Sequence, residues 1–413
     1  MAEPQAAPYG SWKSPITTDL IVAETIGLGR IILDGGDTYW AEARPSEEGR
    51  NIIVKRTPNG ETFDVTTSQF SVNTTVHEYG ARGYTVADGV VYFSNFDDQR
   101  LYRHRPGEKP VPITAEGNLR YAGAVIDRSH SRIICVREDH TTNDEEPVNT
   151  IVAVDINGRD EVTVLVSGND FYDTPRISPD GTALAWLTWN HPNMPWDGTE
   201  LWVAAIGDNG LLGEPEWVAG DIDESIIQPE WSPDGTLYFV SDRSGWANLY
   251  RWRQNKVEPV WEMEAEFAKT HWWGGVSAYG FESASSLVCS YVQQGVWHLA
   301  RLHPDEYRLE PLDIPYSEMG RADLKVAPGR VVFEAGSPVS PMSVLELDLT
   351  TGELTVLQAA NTANVDPGYL SVPENIEFPT EKEVTAHAFY YAPKNQAYSP
   401  LPGEKPPLLV TCH

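Results

Sequence analysis

The chain has 413 residues and a formal charge of −30, from 30 basic and 60 acidic side chains. Such a surface repels phosphate backbones and anionic lipid headgroups, which argues against a nucleic-acid or membrane-surface partner. Hydrophobic residues at 41% and charged residues at 22% are ordinary for a folded protein, and no apolar run approaches the about 18 residues of a membrane span.

Residues 1–20 are irregular and rich in proline, and they are expected to form a strap or a short helix outside the main body. The first five residues show neither a basic region nor an apolar core, so no secretory signal is read and a cytoplasmic setting is expected. The three cysteines, Cys135, Cys289 and Cys412, fit the same setting: they are few and odd in number, and two sit in apolar strand patterns.

From residue 21 to 360 one unit recurs. Its clearest copies are Ser178-Pro179-Asp180-Gly181-Thr182 and Ser232-Pro233-Asp234-Gly235-Thr236, each followed by an apolar, aromatic-rich run. A turn dipeptide leading into such a run marks a strand entered through a tight turn. With one aligned residue per copy, the anchors are Trp40, Phe93, Cys135, Trp186, Phe239, Cys289 and Phe333. A second apolar run follows most anchors, for example 51–55, 100–103, 150–156, 200–205, 248–252, 295–301 and 343–349. A repeat of about 50 residues holding several short strands is a propeller blade, and one blade alone cannot cover both faces of its sheet. Seven copies predict an all-β, seven-bladed β-propeller.

Several local features have dull readings. Asn157-Gly158 predicts a two-residue hairpin turn between 151–156 and 161–166. Asp155, Asn157 and Asp160 lack the rest of a calcium loop, so turn chemistry is the better reading. His77-Glu78 lacks the second histidine of a zinc helix, because position 81 is Ala. No histidine spacing implies a metal, and no cofactor is expected. Asp242 and Arg243 read as a structural ion pair, and His271-Trp272-Trp273-Gly274-Gly275 as blade-to-blade packing. Gly275-Val276-Ser277-Ala278-Tyr279 lacks the last glycine of a nucleophile elbow and lies among strands.

The texture changes after the seventh unit. Residues 361–375 read as a linker. Residues 376–413 carry strand patterns at 376–379, 384–391 and 408–411, the last a short buried-strand pattern reached through Lys405-Pro406-Pro407. This stretch reads as the opening of a second domain that is cut off.

Taken together, these residues resemble one known family. The Ser-Pro-Asp-Gly repeats, Ser241-Asp242-Arg243-Ser244-Gly245-Trp246-Ala247-Asn248-Leu249-Tyr250, His77-Glu78-Tyr79-Gly80-Ala81-Arg82, the loop His191-Pro192-Asn193-Met194-Pro195-Trp196 and the tail Pro406–His413 carry the resemblance. The chain is similar to the N-terminal part of prolyl-oligopeptidase-type serine peptidases, of the acylaminoacyl-peptidase or dipeptidyl-peptidase-like branch. The resemblance implies that residues 376–413 begin an α/β-hydrolase domain, with His413 starting its oxyanion loop. It also implies a Ser-Asp-His triad outside this chain, so no catalytic residue is expected in it and the chain alone is expected to be inactive.

The implied partners are that hydrolase domain and short peptides, and a homo-oligomer is left open. The implied substrate-facing residues are Glu78, Arg82, His191 and Trp196, each with a packing role as its rival. Two other readings stay open. One is a free-standing propeller that binds a protein partner; the other is a propeller enzyme with a central metal or carboxylate site.

Overall fold

The computed structural model describes residues 3–22, 25–141, 146–159, 162–272, 274–320, 323–363 and 365–412. Seven four-stranded antiparallel sheets form a propeller, each a simple meander of one contiguous stretch: 27–64, 84–112, 119–166, 171–220, 226–261, 279–312 and 324–359. We call these blades 1 to 7. Short strands rich in β-branched and aromatic residues suit such sheets, because both faces of every blade are buried against its neighbours.

All seven anchor residues lie on the second strand of their blade, and none is more than 2% exposed. The second apolar runs all form third strands. The anchors therefore mark the centre of each sheet, where a large side chain contributes about 2–3 kcal/mol through burial.

The ring closes by side-chain packing between blades 7 and 1, and every sheet is built from consecutive strands only. Leu28, Ile31, Trp40 and Ile52 of blade 1 form one core cluster with Val332 and Val344 of blade 7. Arg330 on blade 7 donates to Thr38 Oγ1 at 3.3 Å and to the Gly35 carbonyl at 3.1 Å.

Turn chemistry explains the blade entries. Ser178 Oγ donates to Asp180 Oδ1 at 2.6 Å, and Asp180 Oδ1 accepts from the Thr182 amide at 3.1 Å. Gly181 takes φ +75°, open to glycine without strain. The Ser232 turn repeats this pattern, with Thr236 N donating to Ser232 Oγ at 3.0 Å.

Three expectations are corrected. The connection after Val154 is wider than a two-residue hairpin: Val154 pairs with Val162, and among its described residues only Gly158 has positive φ. The turn is pinned by Asp155, whose Oδ1 accepts from Asn157 N at 2.7 Å, and Gly158 packs against Ile113. Asp160 lies outside the described residues. Arg243 pairs with Glu224 at 2.7 Å, while Asp242 caps a neighbouring loop by accepting from Ser225 N at 2.8 Å. Residues 408–410 form no strand and are exposed, since no described strand lies alongside them.

Beyond blade 7 the chain lies back over one face of the ring. A hairpin of Glu374–Pro379 and Thr385–Tyr390 reaches blade 6, where Asn375 Nδ2 donates to the Gln294 carbonyl at 3.1 Å. Phe389 packs so closely on Gly295 that a Cβ there would sit 2.5 Å from its ring. The N-terminal segment joins this tail: Gln5–Ala6 pairs in parallel with Tyr398–Ser399, and Trp12 stacks on Tyr398. Residues Thr18–Val22 form a short helix, and among the described residues no helix is long and apolar enough to cross a membrane.

Candidate functional site

The inner strands carry a feature that the repeat pattern conceals. In blades 1, 3, 4 and 5 the first strand has a bulge, and its residue adopts positive φ: Arg30 (58°), Gly123 (65°), Thr174 (50°) and Gln228 (49°). Three of these are not glycine, so the left-handed backbone is strained and must be held by its surroundings. Gln228 shows how: its Nε2 donates to the Tyr279 carbonyl of blade 6 at 2.7 Å, and its Oε1 accepts from Ala278 N at 2.5 Å. Gly123 and Thr174 line the central cavity, and Arg30 lines the one beside it.

The channel encloses a cavity of about 430 Å³ lined by Arg82, Asp173, Arg176, Glu230, Ser277 and Lys325 among others. Its charges are matched across blades. Arg176 of blade 4 donates through Nε to Glu230 of blade 5 at 3.0 Å. Asp323, at the entry of blade 7, accepts from Ile31 N of blade 1 at 2.6 Å and lies 3.8 Å from Lys325 Nζ. Lys325 also donates to Ser277 Oγ. Burial, reinforced by Arg82, presses the Lys325 ammonium down to about 7.

Arg82 lies between this cavity and a second one of about 230 Å³ that includes Tyr79 and Asp323. Its Nη2 donates to the Gly275 carbonyl at 2.9 Å, linking the entry of blade 2 to the approach to blade 6. Burial lowers its guanidinium from the ordinary arginine range.

The other candidates sit on the face over which the tail folds back. Glu78 is exposed, has positive φ and pairs with Arg120 of blade 3 at 2.8 Å. His77 beside it points inward, edge-on to Phe171 and Trp189, and burial lowers its imidazole from the usual range. His191 is exposed and packs edge-on against the same Phe171. Trp196 stacks on Trp272 at 4.6 Å, and Trp272 meets Tyr79 edge-on at 5.9 Å. The structure thus brings Glu78, His191 and Trp196 onto one aromatic rim and places Arg82 below it in the channel. His413 and Trp273 lie outside the described residues.

Sequence reasoning missed Asp173, Arg176, Glu230 and Lys325; it read His271 and Trp272 as blade-to-blade packing, and His271 is buried in that way while the Trp272 side chain is 46% exposed. His271 Nε2 lies 2.7 Å from Asp173 Oδ2, and both are buried. Burial alone would raise the Asp173 carboxyl, but the bond to His271, the electrostatic pull of His271 and His77 and the Thr174 amide together outweigh it and hold the group at about 2. Burial also pushes the Cys135 thiol up to about 12 and the Cys289 thiol in the same direction, so neither is a nucleophile. Among the described residues, no group of three or more His, Cys, Asp or Glu is arranged to hold a metal.

A closed seven-bladed ring, with a polar channel and the chain returning across one aromatic face, defines a seven-bladed β-propeller. No family model and no curated protein matches the chain. Solved structures do. A Mycobacterium tuberculosis puromycin-hydrolysing peptidase is 33% identical, with a TM-score of 0.90 over 98% of this chain and 64% of its own. A puromycin hydrolase is 30% identical with the same coverage and TM-score. Prolyl oligopeptidase B from Galerina marginata, at 12% identity and a TM-score of 0.62 over 89% of this chain and 55% of its own, shares the fold. The chain therefore matches the propeller portion of the prolyl-oligopeptidase-type peptidases, spanning 64% of the length of the two puromycin-hydrolysing structures.

Proposed function

We propose that this propeller is the cap and substrate-selecting portion of a serine hydrolase that cleaves short peptides or aminoacyl amides, releasing N-terminal residues. The observation that carries the reading is the 33% identity to a puromycin-hydrolysing peptidase across 98% of this chain. The face geometry supports it. The hairpin 374–390 leaves the ring on the side that carries Glu78, His191, Trp196 and Trp272, so a following domain would meet that rim.

In this reading the ring restricts entry and shields the chemistry from bulk water. Arg82, between the channel and the rim, is placed to receive a carboxylate or carbonyl that reaches the channel mouth. Glu78, His191 and Trp196 supply the rim. The catalytic triad lies in the partner domain, so this chain binds but does not turn over. A reducing, cytoplasmic setting goes with it, supported by two buried free thiols.

The central-metal rival loses support from the channel itself. Asp173, Glu230 and Asp323 each face a cationic or imidazole partner, which leaves no converging set of free carboxylates among the described residues. The test of the reading is an assay of aminoacyl amide hydrolysis. The chain extended by the sequence encoded beyond residue 413 should show turnover, and loss of a downstream Gly-x-Ser-x-Gly serine should abolish it. An extended chain without such an element, or without turnover, refutes the reading.

A further inference from the structure

A further cleft opens on the aromatic face, between the outer loops of blades 4, 5 and 6. It has a volume of about 630 Å³, and four indoles meet in it: Trp196, Trp246, Trp272 and Trp297, together with the carboxylates of Asp242 and Glu266. Trp272 and Trp246 are 46% and 40% exposed, and Trp272 is held in place by stacking on Trp196. Indoles fixed by stacking yet open to solvent present rigid, electron-rich faces to whatever enters.

The charge in the cleft is one-sided. Its lysine, Lys269, lies 5.2 Å over the Trp297 ring and is bound to Glu318 at 3.0 Å and to the Gly320 carbonyl, so its charge is already satisfied. Among the described residues, Asp242 and Glu266 accept hydrogen bonds from backbone amides, those of Ser225 and Ala247. The cleft also continues toward the returning hairpin, because Trp246, Glu266 and Val292 line the adjoining cavity that includes Ile376 and Phe389.

We propose that this cleft binds an aromatic ring carried beside an ammonium group, the chemistry of an aromatic aminoacyl unit with a free amine. The ring lies against Trp272 and Trp246, and the ammonium group faces the indoles and the two carboxylates. The proposal deepens the peptidase-cap reading and rests on it for the choice of an aminoacyl ligand. It makes Trp272 a specificity-determining residue, not a catalytic one.

The test is binding to this chain alone, followed by calorimetry, with three probes: phenylalaninamide, alaninamide and N-acetylphenylalaninamide. Phenylalaninamide is expected to bind about tenfold more tightly than either of the others, since each lacks one of the two recognition elements. Trp272→Ala should lose that advantage and Trp272→Phe should keep most of it, with unchanged melting temperatures because the side chain is half exposed. Equal binding of the three amides, no binding of phenylalaninamide, or an unaffected Trp272→Ala variant would overturn the proposal. The two readings fail separately. Turnover by the extended chain with equal amide binding sinks only the cleft, and selective binding without any turnover sinks only the peptidase reading.

Discussion

His271 Nε2 lies 2.7 Å from Asp173 Oδ2, and the two join the inner strand of blade 4 to the connection between blades 5 and 6. Asp173 immediately precedes the strained bulge residue Thr174, whose amide its Oδ1 accepts at 2.6 Å. Removing the carboxylate leaves a buried imidazole without its partner. Asp173→Ala is expected to cost about 3 kcal/mol, read as a lowered denaturant midpoint.

The same pair sets a pH dependence. The folded Asp173 carboxyl is held at about 2, below its ordinary 3.8. Its contribution is therefore fully present above pH 4 and is lost as pH falls from about 4 to 2. Acid unfolding followed by tryptophan emission should show a shallower loss in this window for Asp173→Asn than for the parent chain.

Lys325 gives a slope of the same sign in a higher window. Its folded value of about 7 lies below the ordinary 10.5, so the unfolded chain binds the extra proton between those limits. Stability should rise with pH from about 7 to 10 through this group, and the penalty should be constant below 7. Urea midpoints at pH 7 and pH 9.5 are expected to differ less in Lys325→Met than in the parent.

Arg176 and Glu230 occupy the same place in neighbouring repeats, two residues before Ser178 and Ser232, with opposite charge and 3.0 Å between them. A double-mutant cycle to alanine should return a coupling of about 1 kcal/mol, because Glu230 is partly exposed. The exchange Arg176→Glu with Glu230→Arg should recover part of the loss that either change causes alone.

Gly220 closes blade 4 at φ +97°, and a Cβ there would sit 1.9 Å from the Thr199 carbonyl oxygen. Backbone cannot yield that distance, so Gly220→Ala is expected to destabilise by about 3 kcal/mol or more. Gly352→Ala has open space around it at similar φ and should cost about 1 kcal/mol, which makes it the control in the same melting series.

The wheel was legible because its signal is repetitive. Seven large or apolar residues at one position of a repeat of about 50 residues had to be sheet centres, and Trp40 through Phe333 all are. The rim was half legible: the His77 and His191 segments stood out by composition, yet nothing local says that Phe171 joins them. The channel was hidden because its polar residues interrupt otherwise apolar strands one at a time. Arg176 and Glu230 went unread too, although aligning the two Ser-Pro-Asp-Gly copies places them in register with complementary charge. The strained φ of Gln228 leaves no mark in sequence, because the residue is held by contacts with the next blade.

The account turns on one claim: this ring selects substrate for chemistry carried out by residues outside it. The direct measurement is steady-state hydrolysis of phenylalanine p-nitroanilide by this chain alone and by the chain extended through its downstream coding sequence. The account predicts no turnover above background for the first and saturable turnover for the second. Saturable turnover by this chain alone, abolished by a substitution such as Ser277→Ala, would contradict it.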